Sequence, residues 1–170
     1  MTPSPTTIRA LTVAPLDIPL IAPFGIAGGA QEVARNLLVT LELADGTRGY
    51  GEAAPFPAFN GETQASAAAA LEAARPLVEG ADVRAWRPLA AALRDAIGPA
   101  GSARCAVETA ALDALTRHAG MPLCAFFGGA GHALETDMTI NTGSVERAGT
   151  APREILARGI TTIKVKVGGS

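Results

Sequence analysis

Cysteine is scarce in this chain. The 170 residues hold two, Cys105 and Cys124, and neither sits in a spacing that suits a metal. A disulfide framework is excluded, and both are expected as buried free thiols. An excess of basic charge is also missing. The formal net charge is −2, whereas a phosphate backbone calls for a basic face, so no nucleic-acid partner is expected. No apolar run approaches bilayer length, and "MTPSPTTIRA" lacks the basic and apolar regions of a signal peptide. The expectation is a soluble, cytoplasmic protein without a membrane partner. There is no internal repeat, and no G-x-G-x-x-G follows a strand to cradle a phosphate; Gly128-Gly129 reads as a turn.

What is present supports a folded chain. Hydrophobic residues make up 48% and charged residues 18%, enough apolar content for a sizeable core. The segment from Thr7 to Leu20 alternates and is then broken by prolines, which predicts an entry strand. "PLIAPFGIAGGAQE" reads as a loop. Leu37, Val39, Leu41 and Leu43 alternate ahead of the tight-turn pair Asp45-Gly46. A second strand, Arg48 to Ala53, completes a hairpin.

The middle of the chain is helical. Thr63 is the candidate N-cap of an alanine-rich helix that Pro76 ends or kinks and Gly80 closes. Leu89, Leu93 and Ile97 have helical spacing. In the third helix Ser102 is a candidate cap, and Gly120 and Pro122 form the stop. Its stripe of Ala103, Ala106, Val107, Ala110 and Ala114 is narrow, so something is expected to pack closely there. The last third reads as strand, helix, strand, which points to a parallel sheet. The helix start is expected at Ser144 or, by proline's preference for the first helical position, at Pro152.

"GITTIKVKVGGS" closes the sequence. Side chains alternate along a strand, so Lys164 and Lys166 face one way and Ile163, Val165 and Val167 the other. In a parallel sheet both faces are usually covered, which would turn the lysines toward an interior. Two ammonium groups about 7 Å apart repel, and the repulsion favours losing a proton from one. A lysine so placed can remove a proton and return it. The other reading of K-x-K is a lysine-decorated edge strand that resists aggregation.

Three further stretches bear on that choice: "DGTRGYGEAAP", "ARCAVETAALDALTRHAGMPLCAFFGG" and "TTIKVKVG". Their order and spacing resemble the enolase superfamily, in particular its muconate cycloisomerase subgroup of dipeptide epimerases, N-acylamino acid racemases and o-succinylbenzoate synthases. The resemblance implies an α+β capping domain, an antiparallel sheet plus helical bundle, over residues 1–131. Residues 132–170 would then be the first strand-helix-strand of a modified TIM (β/α) barrel, incomplete in this chain. It implies Mg²⁺-dependent abstraction of a proton α to a carboxylate through an enediolate. The favoured reaction is epimerisation of a dipeptide of the L-Ala-D/L-Glu type or a related racemisation. The alternatives are muconate cycloisomerase or o-succinylbenzoate synthase chemistry, and, for these residues alone, a non-catalytic fragment.

By the same resemblance Lys166 is the acid/base, and Lys164 is its electrostatic neighbour and a contact for the substrate carboxylate. Family members carry their Mg²⁺ ligands and a further catalytic lysine on later barrel strands, so no metal ligand is assigned here. Phe24, Ile26 and Phe56 are candidate substrate neighbours, or else pack the cap onto the barrel. Thr139 and Asn141 share one face of the first barrel strand and are candidates to look into the site. The partner is expected to be a small carboxylate, together with homo-oligomerisation or association with the missing barrel part. His118 near a helix C-terminus, a solvated His132, Glu52, Glu135 and Asp137 are read as structural.

Overall fold

The structure is a computed structural model of the chain and describes residues 3–26, 29–129, 133–140 and 145–166. It divides into two compact units. One holds Met1–Pro19 with Val33–Ala130, the other Leu20–Glu32 with Gly131–Ser170.

A three-stranded sheet of order β1-β2-β3 runs through β1 (Ile8–Ile26), β2 (Gly29–Leu43) and β3 (Arg48–Ala53). Of the segment read as a loop, residues 19–26 and 29–32 are therefore strand, residues 27 and 28 lie outside the described part, and β1 and β2 are neighbours in the sheet. The prolines misled because β1 lies at the sheet edge. Leu11 marks the outward parity: its N–H donates to Glu79 Oε1 at 3.0 Å, and its carbonyl accepts from Arg75 Nη1. Pro15, Pro19 and Pro23 follow at even steps from Leu11, where regular pleating directs a missing N–H to the outer edge and no ladder bond is lost.

The β2–β3 hairpin is as expected. Leu37, Val39 and Leu41 pair with Ala53, Gly51 and Gly49, and all six are buried. Large side chains on β2 thus lie beside almost bare backbone on β3. Helix α4 (Gly101–His118) fills that bareness with its small stripe, since Ala103, Ala106, Val107, Ala110 and Ala114 are fully buried. A Cβ added to Gly51 would stand 2.0 Å from the Ala106 carbonyl oxygen, and one on Gly49 2.2 Å from that of Ala110. At the β3 edge, the Tyr50 N–H donates to Asp113 of α4 at 2.9 Å, so side chains from helices engage both sheet edges.

Short α1 (Pro57–Asn60) precedes α2 (Gln64–Val78), which opens on a capping box between Thr63 and Ser66. Pro76 neither ends nor breaks α2. It sits in the last turn, where it forfeits a single backbone bond, and Gly80 follows at φ +93°. A 3₁₀ turn (Val83–Ala85) leads into α3 (Trp86–Ile97), which buries Leu89, Leu93 and Ile97. Ser102 does not cap α4. It lies inside the first turn, and the Gly101 and Ser102 N–H groups donate to the buried Glu62 carboxylate at 2.7 and 3.1 Å. Burial alone would raise the Glu62 pKa, but hydrogen bonds from Ser102, Gly101 and Asn60 outweigh it and hold the carboxyl below the usual glutamate value. Short α5 (Leu123–Phe126) ends in the turn expected at Gly128, φ +83°.

The cysteines are free but exposed, not buried. Helical phase explains Cys105: the buried α4 positions are 103, 106, 107, 110, 111, 114 and 116, which leaves 105 and 109 outside.

In the second unit, β4 (Asp137–Ile140) and β5 (Thr162–Val165) pair in parallel, joined through α6 (Val145–Ala157). Helix α6 is described from Val145 and passes through Pro152, so it does not begin at Pro152, while the other expected start, Ser144, lies outside the described residues. Ala151 and Ile155, four apart, bury one face of α6 with Ile140, Met138, Ile160 and Ile163. That tertiary burial carries the helix past the bond that Pro152 removes. No helix among the described residues is long and apolar enough to cross a membrane.

Candidate active site

The β4–β5 pair has two faces. Met138, Ile140 and Ile163 turn toward α6. Alternation sends Thr139 and Lys164 the other way, and the register sets these two directly opposite each other. Lys164 is exposed and Thr139 half-buried. Lys166 lies just past β5 and keeps its phase, because its N–H still donates to the Ile140 carbonyl at 3.2 Å. Both lysines therefore stand on the face opposite the helix-packed one, toward the C-terminal end of the strand.

Among the described residues the Lys166 ammonium has two partners, both from the end of β1 within the same unit. Its Nζ donates to the Gly25 carbonyl at 2.5 Å, and it sits 4.5 Å from the centroid of the Phe24 ring. A carbonyl oxygen and an aromatic face both stabilise a cation. Phe24 is 39% exposed, so the ring is open on one side while its face meets the ammonium.

Among the candidate residues, then, Lys166 and Phe24 are in contact, and Lys164 and Thr139 are register partners. Ile26 is the last residue of β1, and its side chain lies outside the described part, as does Asn141. Phe56 is the half-buried N-cap residue of α1 in the first unit. His118 is held structurally as expected: its Nδ1 lies 2.7 Å from Asp45 Oδ2 in the β2–β3 turn. Glu52 accepts a hydrogen bond from Asn36. Glu135 and Asp137 are exposed, and His132 lies outside the described residues.

The Gly25 carbonyl was not foreseen, since a backbone oxygen has no signature in a sequence. A usable signal was nevertheless present. Of 14 lysines and arginines, only Lys164 and Lys166 are lysines. The remaining cations are guanidinium groups, which stay charged, and several form ion pairs, including Arg9 with Glu42, Arg75 with Glu72 and Glu79, and Arg117 with Asp113. Only an ammonium can release its proton in the working range of an enzyme, and this chain places both of its ammoniums on one strand face.

The N-terminal domain of the mandelate racemase / muconate lactonizing enzyme family matches residues 8–128. The chain belongs to this family. An aromatic dipeptide epimerase from Herpetosiphon aurantiacus is 56% identical over 165 residues, 97% of this chain and 46% of the relative. The crystal structure of a mandelate racemase/muconate lactonizing protein from the same organism superposes with a TM-score of 0.93 at 55% identity, covering 98% of this chain and 46% of that one. A dipeptide epimerase from Cytophaga hutchinsonii, solved with Mg and the dipeptide D-Ala-L-Val, reaches 0.90 at 28% identity over 96% of this chain and 45% of its own. The chain thus spans less than half the length of these relatives.

Mg²⁺ accompanies the dipeptide in that relative's structure. Among the described residues of this chain, no three His, Cys, Asp or Glu side chains converge to hold a metal ion. The described side chains therefore do not form a Mg²⁺ cage.

Proposed function

We propose that this chain is the opening section of a dipeptide epimerase, with residues 1–131 as the capping domain and residues 132–170 as the start of its barrel. The supporting observation is the placement of Lys166 at the C-terminal end of a parallel strand, on the face turned away from α6. In (β/α) barrels, catalytic groups project from the C-terminal ends of strands. Lys166 takes the proton from one face of the substrate's α-carbon and returns it. Lys164, two residues earlier on the same face, adds positive charge beside it and meets the substrate carboxylate. Phe24, Ile26, Phe56, Thr139 and Asn141 line the substrate. Mg²⁺ is required by the complete protein, as the metal in the relative's complex suggests, with ligands supplied from outside the described residues.

The greater similarity to an aromatic dipeptide epimerase, 56% against 35% for an L-Ala-D/L-Glu epimerase from Thermotoga maritima, favours a dipeptide with an aromatic residue. In the protein with its complete barrel, Lys166→Ala should stop solvent deuterium from entering one substrate epimer while the other still exchanges. Normal exchange from both epimers would remove Lys166 from this role. Comparing kcat/KM for L-Ala-L-Phe and L-Ala-L-Glu decides the substrate class.

A further inference from the structure

Lys166 needs two states to move a proton. The amine, with a free lone pair, accepts; the ammonium returns. The two groups that hold it here discriminate between those states. An aromatic face attracts a cation and gains little from a neutral amine. A carbonyl oxygen accepts a stronger hydrogen bond from a charged donor than from a neutral one. The Phe24 ring at 4.5 Å and the Gly25 carbonyl at 2.5 Å are therefore selective for the ammonium.

We propose that Phe24 and Gly25, at the end of β1, form a dock for the protonated form of Lys166, and that Phe24 is a positioning residue of the proton-transfer machinery acting through this lysine. This rests on the reading of Lys166 as the acid/base. While the ammonium is docked, it has no lone pair to accept the substrate's proton. A substrate that takes the place of Phe24 and Gly25 beside Lys166 frees the amine to act, so entry and readiness of the base are linked. Substrate recognition and control of the base then reside in adjacent residues, 24 and 25.

The dock predicts that the Phe24 ring protects the Lys166 Nζ chemically. Lys164, exposed and on the same strand face, is the internal reference. The protein with its complete barrel is treated with trace acetic anhydride, and the Lys166/Lys164 acetylation ratio is read by mass spectrometry. Loss of a cation–π contact of exposed strength should raise that ratio about two- to fivefold in Phe24→Leu. Phe24→Tyr, which keeps the ring, should stay at the wild-type ratio. An unchanged ratio in Phe24→Leu, or an equal rise in Phe24→Tyr, overturns the dock.

A second readout separates positioning from simple substrate contact. In Phe24→Leu, deuterium exchange of the epimer served by Lys166 should change relative to the other epimer. An equal change in both would mean that Phe24 acts on the substrate alone and would refute its positioning role. The labelling arm uses no substrate. If Lys166→Ala still exchanged both epimers while Phe24→Leu altered the labelling ratio, the assignment of Lys166 as base would fail and the contact itself would stand. The reverse pattern would sink the dock and leave the base in place.

Discussion

Gly51→Ala should be among the most damaging single-methyl additions in this chain. The new Cβ would meet the Ala106 carbonyl oxygen at 2.0 Å, the carbonyl carbon at 2.9 Å and the Ala110 nitrogen at 3.0 Å. Real Cβ contacts essentially never fall below 3.0 Å, so β3 and α4 must separate by at least 1 Å at this point. The obstacle is backbone inside a helix, which cannot swing aside as a side chain would. Backing α4 away also opens a gap beneath the Ala103–Ala114 stripe, and a gap of 0.5–1 Å forfeits about a quarter to a half of the dispersion attraction there. Overpacking of well-packed cores costs about 1–3 kcal/mol, and this contact lies at or above the upper end, about 3 kcal/mol. The measurement is equilibrium urea unfolding followed by the fluorescence of Trp86. Gly61→Ala is the control: it has φ +78° and nothing within 4 Å of a built Cβ, so it carries only left-handed strain of about 1 kcal/mol. Adding Ala106→Gly to Gly51→Ala should not rescue stability, because the clash is with a carbonyl rather than a methyl. If Gly51→Ala costs no more than Gly61→Ala, or if Ala106→Gly restores it, the account of backbone contact between β3 and α4 is wrong.

Glu62→Gln should weaken the start of α4 by about 1–2 kcal/mol, since it removes the negative charge that accepts from Gly101 and Ser102. The folded-state pKa of Glu62 is depressed, so its contribution is complete above the ordinary glutamate value of 4.5 and is lost as pH falls through the lower folded value. Wild type and Glu62→Gln should therefore converge in stability on acidification below about pH 4.5; a constant difference between them down to pH 2 would refute the cap. Residues 1–170 alone, given excess Mg²⁺, should not epimerise a dipeptide, because no three His, Cys, Asp or Glu among the described residues come together to hold the metal. They should also self-associate in sedimentation, since Val145, Leu156 and Val165 are 90%, 54% and 56% exposed; a monomer that turns over substrate would overturn both expectations.

The parts of the fold that could be read from the sequence were those encoded by neighbours. The alternation of Leu37 to Leu43, the Asp45-Gly46 turn, the Thr63 cap and the small stripe on α4 all depend on residues within a few positions of one another. Errors arose where a distant element changed what a residue meant. Proline argues against a strand only when its N–H would join a ladder. At 15, 19 and 23 it faces the outside of an edge strand, and edge position depends on the whole sheet. Ser102 has the right chemistry for a cap, yet Glu62, forty residues earlier, occupies the position. Pro152 suits the first turn of a helix, but Ala151 and Ile155 find an apolar sheet face to cover, and the helix extends seven residues before it. In each case local propensity favoured one outcome by a modest amount and burial imposed another.

The candidate site divides in the same way. Lys164 and Lys166 could be read because a two-residue period fixes their shared face, and because lysine instead of arginine is itself a chemical statement in a chain that otherwise uses guanidinium. Their surroundings could not. The contact between Lys166 and Gly25 joins positions 141 apart, although both residues belong to the same compact unit. The prolines that obscured β1 in the sequence remove three N–H donors from its outer edge. Under the role proposed for Lys166, Phe24 and Gly25 at the end of β1 set a cation-selective surface against the residue that alternates between cation and amine.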